Sequence, residues 1–205
     1  MKKLHLIFIL YSFIFLNTDT HSRELDKKFL KSIKFQQKNV DKAFRGSVQS
    51  ISKVESYEEN GAEFQTLNFR MVGVHPNRCK IALRKISLYE EYSDFISFIK
   101  KVEFSEENKK LAFFVDHKLM PYPMVLGINI GRVSRPGSYP YTFDKGLFSG
   151  LKGTIVVKDY KRKCLIAIHN SWTGKHTKIP NLVIEIFSQT LMRIGMEKVF
   201  RFSRI

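Results

Sequence analysis

The densest run of chemistry-bearing side chains in this sequence is His169-Asn170-Ser171-Trp172. Strand alternation would set His169 and Ser171 on one face and Asn170 and Trp172 on the other, so one pair must point inward. A single polar handle such as His169 or Asn170 in apolar surroundings suits the orientation of a hydrophobic ligand's head group. Trp172 fits the rim of such a site or a lipid interface, where an apolar ring with one N–H meets two media. His117, His169 and His176 could serve as bases or metal ligands, but their spacings match no metal pattern. Gly146-Leu147-Phe148-Ser149-Gly150 has the wrong spacing for a nucleophile elbow. Gly174-Lys175 lacks the glycine that a phosphate loop needs five positions earlier, where His169 stands. No acid, base and nucleophile assemble, so no catalytic residue, metal or cofactor is expected.

The elements that must position these residues are strands and one long helix. From Asn181 to Arg201 apolar residues recur at helical spacing: Val183, Phe187, Leu191 and Ile194, widened by Ile184, Ile186 and Val199. Pro180 stops what precedes it, and Asn181 is expected as the N-cap. At ~1.5 Å per residue the helix is roughly 30 Å long and too apolar to stand alone. Upstream, Ser47–Tyr57 and Phe64–Val74 read as a hairpin around Glu58-Glu59-Asn60-Gly61, because Asn-Gly accepts positive φ. Two short helices follow: one around Ile81, Ala82, Ile86 and Leu88, the second from Glu90 to Phe98. Strand patterns then run near 100–104, 111–115, 124–131, 139–148, 151–158 and 163–172, with Gly127 and Gly131 marking a bend or a close approach. Adjacent strands joined by short turns predict an antiparallel sheet with its helices on one side. The fold class is α+β.

That order resembles the START-like, or helix-grip, superfamily (SRPBCC-type), with its polyketide cyclase/dehydrase, lipid-transport and coenzyme Q-binding-like groups. The resemblance is carried by the stretch from Ser87 to Phe104, with Tyr92, Phe95, Ile96, Val102 and Phe104 at the matching positions. Gly150-Leu151-Lys152-Gly153 at a strand start and the closing helix agree with it. It spans about Phe64 to Phe202, and the hairpin strand from Ser47 departs from it. The resemblance implies a curved antiparallel sheet wrapped around the long C-terminal helix, enclosing an apolar cavity. It implies cavity walls at Phe113, Val115, Leu126, Ile128, Ile155 and Val157 from strands, Phe187, Leu191 and Ile194 from the helix, and Phe95 from the short helices. His169, Asn170 and Trp172 are the polar candidates.

Residues 1–22 carry a short basic start and an apolar run from Leu4 to Leu16, followed by small polar residues. This is a secretory signal pattern, too short for a spanning helix of about 20 residues. Residues 23–46 read as a helical or partly ordered lead-in and 47–205 as the START-like domain. Against 19 Asp+Glu stand 35 Lys+Arg, a net charge of +16. In an exported protein, periplasmic or secreted, such charge points to anionic lipid rather than nucleic acid. An uncleaved signal would tether it. Cys79 and Cys164 are expected as two packed thiols, with pairing open in an oxidising compartment. The functional expectation is an exported monomer that binds or carries a lipid, quinone or polyketide-like molecule near a membrane. Two alternatives stand beside it: a cyclase/dehydrase-type enzyme using His169 or His117 as base, and a basic interaction module with a filled core.

Overall fold

In a computed structural model, residues 31, 33, 35–118 and 122–204 are described. The expected signal peptide, residues 1–22, lies outside them. Residues 38–205 form one compact unit.

After helix α1 (Gln37–Phe44) the chain enters strands β1 (Gln49–Glu59) and β2 (Ala62–His75). They pair in continuous antiparallel register down to Glu59↔Ala62. The two-residue loop between them holds Asn60 and Gly61 at φ 53° and 73°, as a primed turn requires. Helix α2 (Cys79–Ile86), a 3-10 turn (Tyr89–Glu91) and the single-turn helix α3 (Tyr92–Phe95) follow. The second short helix is therefore shorter than its sequence pattern. Ile96 leaves the helix with an extended backbone, and the chain is already in strand by Ile99. Then come β3 (Ile99–Ser105), β4 (Lys110–Val115), β5 (Met124–Asn129), β6 (Gly137–Lys145), β7 (Lys152–Tyr160) and β8 (Lys163–Lys175), before the closing helix α4 (Asn181–Phe202).

The eight strands among the described residues form one antiparallel sheet in the order β1-β2-β8-β7-β6-β5-β4-β3. Register shifts interrupt it between Ile99 and Lys101 and between Gly127 and Ile128. Such bulges bend a sheet and increase its twist. A Cβ on Gly127 would lie 2.3 Å from Asp144 Oδ1, so the close approach expected at this glycine is present.

Helix α4 is docked on the β1–β2 hairpin by polar side chains as well as by its apolar stripe. Val54 N–H donates to Glu185 Oε1 at 2.7 Å. Ser188 Oγ lies 2.8 Å from Ser52 Oγ. Gln65, with no exposed surface, donates to the Ile179 carbonyl at 3.1 Å and to Asn181 Oδ1 at 2.6 Å. Its own Oε1 accepts from Thr177 Oγ1 at 2.7 Å. Asn181 is therefore not the expected N-cap: it is the first helical residue, and its side chain is turned back to Gln65. Near the other end of the helix, Phe200 fills the space left by Gly73, where a Cβ would lie 2.7 Å from its ring. The helix buries Ile184, Ser188, Leu191, Met196, Val199 and Phe200. Val183 and Ile186, expected inside, are 43% and 52% exposed, because the hairpin grips the face one step around.

Cys79, the first residue of α2, and Cys164 on β8 form a disulfide, their Cα atoms 4.5 Å apart. This corrects the expectation of two separate thiols. His75 and Cys164 are paired residues of β2 and β8, so the turn after β2 delivers Cys79 to its partner.

Candidate functional site

Between α4 and the concave face of the sheet lies a cavity of about 310 Å³. That is within the ~300–1,000 Å³ range of small-molecule pockets. Strands β2 and β4 to β8 present alternate side chains to it, as the wall residues implied by the resemblance require. Nine sequence-expected residues line it: Phe113, Val115, Leu126, Ile128, Ile155, Val157, Asn170, Phe187 and Leu191.

Phe95, Ile194, His169 and Trp172 do not. Phe95 turns away to stack on Phe202, ring centroids 4.1 Å apart. Ile194 packs against the core from a partly exposed position on α4. His169 lies on the strand face opposite Asn170, as alternation requires. Trp172 shares Asn170's face but sits further along β8. Its ring lies over Gly174 and edge-on to Phe148, and its N–H donates to the Ser149 carbonyl at 3.0 Å.

Other wall residues escaped the sequence reading. Leu67, Phe69 and Met71 come from β2, Tyr141 and Phe143 from β6, and Tyr89, Tyr92 and Ile86 from the short helical segments. The β2 residues carried a signal in their alternation. Tyr141 carried a subtler one, since it stands opposite a glycine.

None of the described residues lining the cavity is charged, and five bring a polar side-chain atom: Tyr89, Tyr92, Tyr141, Asn170 and Ser188. Tyr89 Oη accepts from the Val133 N–H at 2.9 Å and donates to the Gly131 carbonyl at 3.3 Å. Tyr92 Oη donates to the Ile86 carbonyl. Ser188 Oγ is shared between Ser52 Oγ and the Glu185 carbonyl. Asn170 Nδ2 donates to Tyr141 Oη at 3.0 Å, while Asn170 Oδ1 is buried with no hydrogen-bond partner.

The Tyr141–Asn170 contact follows from register. Tyr141 pairs with Gly153 and Gly153 with Asn170, so the three form one cross-strand row over β6, β7 and β8. A Cβ on Gly153 would lie 2.4 Å from the Tyr141 ring and 2.8 Å from Asn170 Cβ. The glycine leaves the gap through which the outer two meet. Burial pushes the Tyr141 hydroxyl up to about 12, against the opposing effect of the Asn170 hydrogen bond, so it stays a neutral donor. Tyr89 is likewise pushed up to about 12 by burial.

Beside Tyr89, Arg132 ties three segments together. It bonds the Ser87 carbonyl and Glu90, each at 2.6 Å, pairs with Glu106, and lies over the Phe104 ring at 4.5 Å. The hydrogen bond from Arg132 holds Glu90 below the usual carboxylate range. This cluster braces the 3-10 turn and leaves the cavity uncharged.

A curved antiparallel sheet gripping a C-terminal helix over an apolar cavity defines the START-like, helix-grip fold. Among solved structures, the Zhui aromatase/cyclase of a Streptomyces species superposes with a TM-score of 0.57 at 10% identity, over 67% of this chain and 93% of that one. A conserved protein of Geobacillus kaustophilus gives 0.54 at 12% identity, over 66% and 94%. A START superfamily protein of Mycobacterium smegmatis gives 0.51 at 10% identity, over 65% and 95%. At such identities the likeness establishes the fold. No family model matches the sequence. No curated protein matches it either.

Proposed function

We infer that this protein binds a hydrophobic small molecule in the cavity beneath α4 and acts as a carrier or reservoir for it. The observation that carries this reading is a void of about 310 Å³ with no charged residue among its described lining. Water makes poor contacts with so apolar a wall, and an apolar guest supplies the close packing that solvent does not. The void also counts against a basic module with a filled core. The enzyme alternative relied on His169 or His117 as base, and neither lines the cavity.

The working place we infer is outside the cytoplasm, beside an anionic membrane. A fully buried disulfide supports an oxidising compartment. The excess of 35 Lys+Arg over 19 Asp+Glu supports attraction to anionic lipid. Leu182, Val183 and Ile186 stand exposed on α4, offering an apolar contact to a bilayer. Val183 shares a shallow dent with Phe148 and Phe187, both of which also line the cavity.

Titration with a neutral, environment-sensitive naphthylamine dye tests the binding reading, alongside native mass spectrometry of protein purified from its host. Saturable dye uptake with one site per chain, or a co-purified apolar molecule, is the expected result. A protein that takes up neither dye nor any of a lipid panel would refute it.

A further inference from the structure

Resting on the reading of the cavity as a ligand site, we propose that the Tyr141–Asn170 pair selects a neutral ligand bearing a hydroxyl group, and rejects carboxylates.

Of the five polar side chains lining the cavity, Tyr89, Tyr92 and Ser188 have their hydrogen bonds met by backbone carbonyls, a backbone N–H or Ser52. Tyr92 Oη donates but accepts nothing, so among the described lining residues only the Tyr141–Asn170 pair leaves a donor as well as an acceptor unused. With Nδ2 donating to Tyr141 Oη, the phenol proton and Asn170 Oδ1 remain to be used. With the amide turned over, the phenol donates to Oδ1, and both amide N–H groups and the Tyr141 Oη lone pairs remain instead. In both arrangements at least one donor and one acceptor are left side by side in an apolar chamber. Buried polar groups are nearly always hydrogen-bonded, and an unmet one is costly. Oδ1 is buried as it stands, and a turn of the Asn170 side chain brings it to the open space, where a ligand hydroxyl, itself both donor and acceptor, satisfies the two at once. An ether or ester oxygen can use only the donor.

A carboxylate would bring a charge into a chamber whose described lining holds no cation. Burying an ion without a partner is far more costly than burying a hydroxyl that is hydrogen-bonded. The site is built rather than incidental. Tyr141 reaches Asn170 only because Gly153 stands between them, its missing Cβ being the space the phenol occupies.

The test is displacement of the neutral naphthylamine dye from the full chain by three matched probes: 1-decanol, its methyl ether and decanoate, at neutral pH. The alcohol should bind at least about tenfold tighter than either of the others, a factor worth ~1.4 kcal/mol. Tyr141→Phe and Asn170→Leu should each bring alcohol and ether to within about twofold of one another, both displacements being measured against that variant's own dye affinity. Tyr141→Phe removes one oxygen and keeps the ring, so it decides the matter if Asn170→Leu does not fold. Gly153→Ala, which would press a methyl group on the phenol, should erode the preference without removing either polar atom. Decanoate binding as tightly as decanol, or a preference that survives Tyr141→Phe, would overturn the proposal while the cavity reading stands. Failure of the dye and all three probes to bind would remove the cavity reading as well.

Discussion

Val54 donates its backbone N–H to Glu185 Oε1 at 2.7 Å, so the outermost strand of the sheet is hydrogen-bonded to the helix that the sheet encloses. An edge strand carries a row of N–H groups with no neighbouring strand to receive them. Glu185 satisfies one of these and fixes how far α4 lies over β1. A charge-assisted bond of this kind contributes about 1.5–3 kcal/mol. Glu185→Ala should lower the urea midpoint by the equivalent of about 1–2 kcal/mol with an unchanged slope. Glu185→Gln, which keeps an acceptor, should lose less than half of that.

Gln65 organises the entry to the same helix from inside the sheet, holding Ile179, Asn181 and Thr177 with one amide. Gln65→Leu keeps the volume but strands several of these groups. Each stranded buried group costs about 1–3 kcal/mol. A loss of about 2–4 kcal/mol in denaturant unfolding is expected, with earlier hydrogen exchange over residues 177–185. A loss under about 0.5 kcal/mol would mean that water replaces the amide.

The Cys79–Cys164 disulfide closes a loop with a sequence separation of 85 and ties α2 to β8. Removing a native disulfide costs about 2–5 kcal/mol. Cys79→Ala/Cys164→Ala should lose stability in that range. Both cysteines are fully buried, so native protein should resist a mild thiol reductant and yield only as it unfolds. Mass shifts after thiol alkylation, with and without urea, would report this.

Much of this architecture was legible in the chain. Asn60-Gly61, Pro180 and the alternation in β4, β5 and β7 each act through local backbone geometry, and a sequence displays local geometry directly. The misses depend on how distant segments meet. The resemblance puts Phe95 in the wall, but one turn of helix is too short to tell which way a ring points, and Phe202 takes it. The β8 alternation separated His169 from Asn170 without saying which faced inward, because that is decided by pairing with β2 and β7. The disulfide needed the β2–β8 register, and the Tyr141–Gly153–Asn170 row needed two registers at once. Asn181 looked like a cap, because nothing local announces that Gln65, more than a hundred residues upstream, will use its side chain.

His75 should make the fold sensitive to mild acid. It has no exposed surface, its Nδ1 accepts the Asn77 N–H at 3.1 Å, and its ring meets Phe200 edge-on. Burial lowers its pKa from 6.5, helped by the nearby Arg204 charge and opposed by hydrogen bonds to the backbone. A histidine that is neutral in the fold binds its proton more readily when unfolded. Its contribution is therefore complete above pH 6.5 and declines as the pH falls from 6.5 toward the lowered native value. Glu90, depressed below its ordinary 4.5, adds a separate loss only in stronger acid. Chemical denaturation between about pH 7 and pH 5, across the histidine range, should show stability falling with acidity. His75→Asn keeps an acceptor for Asn77 but cannot titrate, and should flatten that slope. An unchanged slope would place the acid sensitivity elsewhere.

Gly195 offers the sharpest separation between an unoccupied packing defect and a ligand site. It lies in the middle of α4 and lines the cavity, and a Cβ there would meet Phe98 Cζ at an ordinary 3.7 Å. Glycine inside a helix costs ~1 kcal/mol relative to alanine, and a larger apolar side chain here would gain contacts now missing. Gly195→Leu should therefore raise stability by about 0.5–1.5 kcal/mol while weakening dye and alcohol binding at least tenfold. Selection for stability alone would favour a larger residue here. Stability gained and binding lost in one substitution is the signature of a void kept open for a guest. Stability gained with binding unchanged would mean that the dye binds elsewhere on the protein.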